Sequence, residues 1–179
     1  MKTILLFGAG KSATVLIDYL LAQAPEENWQ VLVVDANLEL AKMKTGDSVY
    51  ASPLSFDIND NMERGRYIRM ADIVISLLPP QLHIEVARDC VRLEKNLLTA
   101  SYMDPAIREL SSVIEEKNLL FLYEMGLDPG IDHMSAMQLI DQIRAKGGEI
   151  HSFKSHCGGL VAPESDDNPW HYKISWNPR

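Results

Sequence analysis

The sequence is poor in cysteine, in positive charge and in long apolar runs, and each shortage removes a class of protein. Its two cysteines, Cys90 and Cys157, stand far apart without C-x-x-C spacing. That excludes a disulfide framework and a zinc site as readings, and no metal is expected. Lys and Arg number 17 against 25 Asp and Glu, a net charge of -8. A nucleic-acid-binding chain needs a basic surplus to meet phosphates, so no nucleic-acid partner is expected. No apolar run nears the roughly 20 residues that span a bilayer. The opening Met1–Phe7 meets Gly8 too early for a secretory signal. What is present, 46% hydrophobic and 23% charged residues, is ordinary for a globular domain. Reduced thiols and a cytoplasmic location fit this composition.

Strand and helix patterns alternate from the start. The run 3–7 is apolar and ends at glycine, as a buried parallel strand does. Ala13, Leu16, Ile17, Leu20, Leu21 and Ala24 recur at helical spacing, and Pro25 is expected to close that helix. A second strand over 30–34 ends at Asp35, and Asn37 is placed to cap a helix over 38–45. A weak strand is expected at 48–51 and a polar stretch at 59–67. Strands at 72–78, 96–100 and 119–123 then alternate with helices at 82–93 and 105–117. This rhythm predicts an α/β fold, a Rossmann-type doubly wound parallel sheet with helices on both faces. The rhythm changes at Gly126-Leu127-Asp128-Pro129-Gly130, followed by a helical pattern over 131–146 and strand-like alternation over 149–156. Residues 1–130 are read as the Rossmann domain and 131–179 as the start of an α+β substrate-binding domain, expected to be truncated.

Gly8-Ala9-Gly10-Lys11-Ser12-Ala13 fits G-x-G-x-x-A between the first strand and the first helix. The first glycine permits a tight turn, and the second clears space for a pyrophosphate against the backbone. The small third residue lets helix and strand pack closely. The helix end then offers free N–H groups to the phosphates. Asp35 ends the second strand about 20 residues further on, where a carboxylate accepts the adenosine ribose hydroxyls. It would repel a 2′-phosphate, which favours NAD over NADP. Gly10-Lys11-Ser12 also suggests a triphosphatase loop, but that motif needs glycine where Leu5 stands.

Further segments narrow the reading. They are Ile75-Ser76-Leu77-Leu78-Pro79, Leu82-His83, Thr99-Ala100-Ser101-Tyr102, Glu124-Met125-Gly126-Leu127-Asp128-Pro129-Gly130-Ile131-Asp132-His133, Cys157-Gly158-Gly159-Leu160 and Tyr172-Lys173-Ile174-Ser175-Trp176. Together this ordered set resembles the saccharopine dehydrogenase family, its glutamate-forming reductases in particular. The resemblance implies NAD(P)-dependent oxidation of saccharopine to glutamate and 2-aminoadipate 6-semialdehyde, a step of lysine metabolism. It implies dinucleotide contacts at Gly8, Gly10, Lys11, Ser12, Ala13 and Asp35, with Asp57 and Ile58 near the adenine. Ser76, Leu77 and Leu78 would pass beside the nicotinamide half. Leu127, Pro129 and Ser175, with Trp176, would line the cofactor–substrate boundary. Ser101, Tyr102 and Asp128 would face saccharopine. Related lysine 6-dehydrogenase, carboxynorspermidine synthase, a non-catalytic dinucleotide-binding module and a homodimeric assembly are left open.

Hydride transfer needs the nicotinamide held against the reacting carbon; the cofactor supplies the chemistry and the protein the position. Tyr102 and Asp128 are the candidate proton carriers. A packed aromatic and a loop cap are the competing readings of these two. His83, near a helix start, and His133 read as structural more readily than as proton carriers. Cys157 reads as a buried thiol, since hydride transfer needs no nucleophile. No arginine cluster suited to the three carboxylates of saccharopine stands out, and residues beyond Arg179 are expected to supply one.

Overall fold

The computed structural model describes residues 1–156 and 161–173. Six strands form one sheet: β1 (Lys2–Phe7), β2 (Trp29–Val34), β3 (Ala51–Leu54), β4 (Ile73–Ser76), β5 (Asn96–Thr99) and β6 (Phe121–Leu122). Every pairing is parallel, in the order β3-β2-β1-β4-β5-β6. That is the doubly wound order in which the chain reverses direction across the sheet beside β1. The helices are α1 (Thr14–Glu27), α2 (Leu38–Thr45), α3 (Asn61–Met70), α4 (His83–Leu93), α5 (Pro105–Arg108), α6 (Ser111–Glu116) and α7 (Ile131–Ala145).

Both faces of the sheet are buried, which is why its central strands read as continuous apolar runs. Alternate residues serve opposite faces. Leu5, Phe7, Leu32, Val34 and Val74 pack with Ile68 of α3 and Val86, Ala87 and Cys90 of α4. Ile4, Leu6, Val31, Val33 and Ile75 pack with Ala13, Ile17 and Leu20 around α1 and Ala41 of α2. The side chains of Leu5, Leu6, Phe7, Val31 and Val33 are fully buried. A one-residue slip of β1 would exchange its two apolar sets between faces without exposing either, so register rests on the turn that follows it.

Four local expectations change. α1 runs through Pro25 to Glu27 and ends on Asn28 in the left-handed region (φ 57°). Pro25 lies in the exposed last turn, where water can satisfy the carbonyl that loses its donor. The third strand is Ala51–Leu54 rather than 48–51 and includes Pro53. It is an edge strand. The carbonyls of Tyr50, just before it, and of Leu54 accept from Val31 and Asp35. Pro53 sits at the alternate parity, so its missing N–H points off the sheet. The polar stretch at 59–67 is helix α3, started by the Asp60 carboxylate accepting from the N–H groups of Met62 and Glu63. The expected helix 105–117 is two short helices, interrupted at Glu109-Leu110.

The chain divides into two compact units, Met1–Met137 and Gln138–Arg179. In the second, residues 149–156 form no strand, because alternation alone makes no ladder without a neighbouring strand to pair with. Among its described residues, Val161 N–H donates to the His171 carbonyl at 3.3 Å. Cys157, Ser175 and Trp176 lie outside the described residues. No residue of α7 is buried. Among the described residues no helix is long and apolar enough to cross a membrane.

Candidate functional site

The carboxyl ends of β1 to β4 open onto a crevice of about 710 Å³. This is where an open parallel sheet places ligands, outside its strand ends and at the reversal of strand order. Gly8 and Gly10 form its floor, Asp35 and Ala36 one rim, Ser55, Phe56, Asp57 and Ile58 a second, and Leu77, Leu78, Pro79 and Leu82 a third.

The glycine turn explains the floor. Gly8 has φ +97°, and a Cβ there would lie 2.7 Å from the Leu77 carbonyl oxygen. β1 and β4 come so close at this point that only glycine fits. Gly10 differs: a Cβ on it would meet nothing within 4 Å. The space above Gly10 is therefore kept clear by the sequence and not demanded by packing. A short 3-10 turn (Lys11–Ala13) leads into α1 without a side-chain cap. The N–H groups of Gly10, Lys11 and Ser12 donate to no other group among the described residues. Uncapped donors at a helix start, over a bare backbone, fit a diphosphate. Lys11 and Ser12 are exposed there, whereas Ala13 is fully buried and acts by packing α1 on the sheet.

Asp35 is held in two directions. One carboxylate oxygen accepts from Ala9 N–H at 2.8 Å and the other from Asn37 N–H at 2.9 Å. The carboxylate thus pins the glycine turn to the end of β2, and each oxygen keeps a lone pair for a ribose hydroxyl.

The crevice wall formed by Ser55, Phe56, Asp57 and Ile58 depends on a residue that sequence reading passed over. Arg64 of α3 is 3% exposed, and its Nε donates to Asp89 of α4 at 2.7 Å. Its Nη1 donates to the Ile58 carbonyl, and its Nη2 to Asn61 at 2.9 Å. This buried guanidinium anchors the loop that carries Asp57 and Ile58. Phe56 completes the wall, stacked on Tyr67 with centroids 5.3 Å apart.

Ser101, Tyr102 and Asp128 lie past the ends of β5 and β6, outside the crevice lining. The loop bearing Asp128 is closed by Gly126 N–H donating to Pro129 O at 3.0 Å and Ile131 N–H donating to Gly126 O at 2.9 Å. Tyr102 is exposed, and desolvation together with the neighbouring Asp128 carboxylate raises its pKa above the usual phenol value. It therefore stays protonated, a donor and not a base, through the neutral range. Leu127 is exposed and Pro129 buried, and neither lines the crevice. His133 Nδ1 donates to Asp132 Oδ1, 2.7 Å away. The ligand atoms of Asp128, Asp132 and His133 lie within 4.8 Å of one another, a local clustering that the sequence reading did not foresee.

Ser76 is fully buried at the end of β4 and does not reach the crevice surface. Its hydroxyl meets His83 Nδ1 at 2.8 Å, and His83 Nε2 meets the Ser101 hydroxyl at 2.7 Å. Burial lowers the His83 pKa from 6.5 to about 4. The unfolded chain takes up that proton near pH 6.5 and the folded chain only near 4. Between those values the unfolded state binds more protons, so stability falls as pH drops. The expected loss from this group between pH 7 and 4.5 is about 2–3 kcal/mol. Urea denaturation at both pH values, in the wild type and in His83→Gln, isolates it. Equal losses in the two proteins would contradict the assignment.

Parallel strands in this order and a glycine turn over an open crevice define a Rossmann-type dinucleotide-binding domain. Residues 4–122 match the saccharopine dehydrogenase NADP binding domain, and residues 126–179 the saccharopine dehydrogenase C-terminal domain. The chain belongs to the saccharopine dehydrogenase family. A saccharopine dehydrogenase [NADP(+), L-glutamate-forming] of Pyricularia oryzae is 38% identical over 99% of the chain, which spans 39% of that relative. The mitochondrial alpha-aminoadipic semialdehyde synthase of Bos taurus is also 38% identical over 99% of the chain, which spans 19% of it. The apo structure of saccharopine dehydrogenase (L-Glu forming) from Saccharomyces cerevisiae superposes with a TM-score of 0.86 at 38% identity, covering 98% of this chain and 39% of that one.

Proposed function

We propose that this chain carries the dinucleotide site, and part of the substrate site, of an oxidoreductase converting saccharopine to glutamate and 2-aminoadipate 6-semialdehyde. The observation that carries the reading is the clear space over Gly10, facing uncapped helix-start donors. When bound, the nicotinamide accepts or donates the hydride. The residues of the chain bind, orient and shield. Gly8 and Gly10 shape the diphosphate floor, Asp35 the ribose rim, Asp57 and Ile58 the adenine wall, and Leu77 and Leu78 the path toward the nicotinamide half. Ser101, Tyr102 and Asp128 supply polar groups toward the amino-acid substrate. Residues 131–179 begin the substrate-binding domain, and the cytoplasm is the compartment.

NAD is preferred over NADP in this reading. The P. oryzae relative is named for NADP(+). Here, however, the ribose rim is a carboxylate, and Asp35-Ala36-Asn37-Leu38-Glu39-Leu40-Ala41 contains no cation to pair with a 2′-phosphate. NADH is expected to bind at least about tenfold more tightly than NADPH, a difference of about 1.4 kcal/mol. Fluorescence titration with both nucleotides checks this, and equal or tighter NADPH binding would overturn it. The activity itself is tested by extending the chain to the length of its relatives and following NADH formation with saccharopine. Nucleotide binding without turnover in that longer protein would reduce the assignment to a binding module.

A further inference from the structure

We propose that Ser76 and His83 form a positioning relay that fixes the Ser101 hydroxyl as an outward donor to an anionic group of the substrate. The argument is one of hydrogen-bond polarity. A neutral imidazole has one donor nitrogen and one acceptor nitrogen, so a histidine between two hydroxyls must point one way or the other. The fully buried end of the chain decides which. Ser76 has no exposed surface, and His83 Nδ1 is the sole partner of its hydroxyl among the described residues. If Nδ1 carried the proton, the Ser76 O–H would be buried with nothing to receive it, a costly arrangement. Ser76 therefore donates to Nδ1, and the proton of the ring sits on Nε2.

The consequence reaches Ser101. Nε2–H donates to its oxygen across 2.7 Å. The Ser101 backbone is held as well, its N–H donating to Thr99 Oγ1 at 3.2 Å and its carbonyl accepting from Glu124 N–H at 3.0 Å. With one lone pair engaged and the backbone fixed, the remaining polar function of the half-exposed hydroxyl is its own proton. That proton suits a partner that only accepts, such as a carboxylate. Burial keeps the ring neutral near pH 7, as this polarity requires. His83 thus acts through Ser101 and joins the tip of β4 to that of β5, two strands paired from Ile73–Asn96 to Ser76–Thr99.

The relay rests on the proposed function only for the identity of the anion, so two experiments separate the claims. The first needs neither cofactor nor substrate. Two-bond proton–nitrogen correlation spectra of the 15N-labelled 179-residue chain report the tautomer of His83, assigned by loss of its signals in His83→Gln. The expected result is a proton on Nε2 at pH 7, unchanged in Ser101→Ala and spread over both nitrogens in Ser76→Ala. A proton on Nδ1 in the wild type, or one unaltered tautomer in Ser76→Ala, would overturn the relay. The second uses the protein extended to the length of its relatives. His83→Leu and Ser101→Ala are each expected to raise the KM for saccharopine about tenfold, with kcat less affected and the double variant no worse than either. His83→Gln, which offers one acceptor and one donor as the imidazole does, is expected to recover most of the loss. Additive effects in the double variant would detach His83 from Ser101. Absence of turnover in the wild type would remove the proposed activity while leaving the tautomer result standing.

Discussion

Gly10→Val is expected to leave the melting temperature within about 2 °C of wild type while weakening NADH binding at least about a hundredfold, equivalent to about 2.7 kcal/mol. The two halves of this expectation have separate physical origins. Gly10 has φ -64°, a value every residue adopts, and a Cβ there would enter open space. Nothing in the protein itself calls for glycine at this position. A branched side chain would fill the volume through which the diphosphate must approach the uncapped N–H groups. Gly8→Ala is the control with the opposite signature. Its positive φ and the 2.7 Å approach to the Leu77 carbonyl put the strain into the folded protein, at a cost of about 1–3 kcal/mol. Calorimetry and fluorescence titration on both variants separate the cases. A Gly10→Val protein that binds NADH as wild type does would remove the diphosphate from this turn, and one that unfolds early would show that the fold itself calls for glycine there.

The contrast between those two glycines also marks how far the sequence could be read. The motif told both apart from ordinary loop residues, because a strand ending in glycine before a helix is a strong local pattern. It could assign the roles of turn and clearance only by analogy. The apolar runs of β1 and β2 were legible because a sheet buried on both faces leaves no polar alternation to confuse. β3 was displaced because an edge strand carries Pro53 and only half-buried residues. α3 was missed because its inward face is Arg64, Gly65 and Ile68, so the buried side of the helix is not apolar. His83 was weighed as structural for a related reason. One histidine says nothing of its partners until β4, β5 and α4 bring Ser76 and Ser101 to its two nitrogens. Burial of a polar group becomes informative only once its bonds can be counted.

Arg64→Met is the substitution expected to damage the fold itself most. The guanidinium is 3% exposed and serves Asp89, Ile58 and Asn61 together. Its removal leaves the Asp89 carboxylate buried at the α3–α4 contact. Breaking one side of a buried ion pair costs about 3–5 kcal/mol. Arg92 moderates this, since its Nη2 already reaches Asp89 at 2.6 Å and its side chain is half exposed. The expected loss is therefore at the low end, about 3 kcal/mol, read as a lower urea midpoint with an unchanged slope. Asp89→Leu should cost less, because the guanidinium keeps the Ile58 carbonyl, Asn61 and, at 3.7 Å, the Glu85 carboxylate. The double variant Arg64→Met/Asp89→Leu should recover part of the loss, as no unpaired charge remains buried. NADH affinity should fall in Arg64→Met and in the double variant, because the Ile58 carbonyl loses its anchor there and the wall at Asp57 and Ile58 loosens. A destabilisation of Arg64→Met below about 1 kcal/mol would show that the pair is incidental to the fold. Unchanged nucleotide affinity in a destabilised Arg64→Met protein would show that the loop at Asp57 and Ile58 is held by the packing of Phe56 on Tyr67 instead.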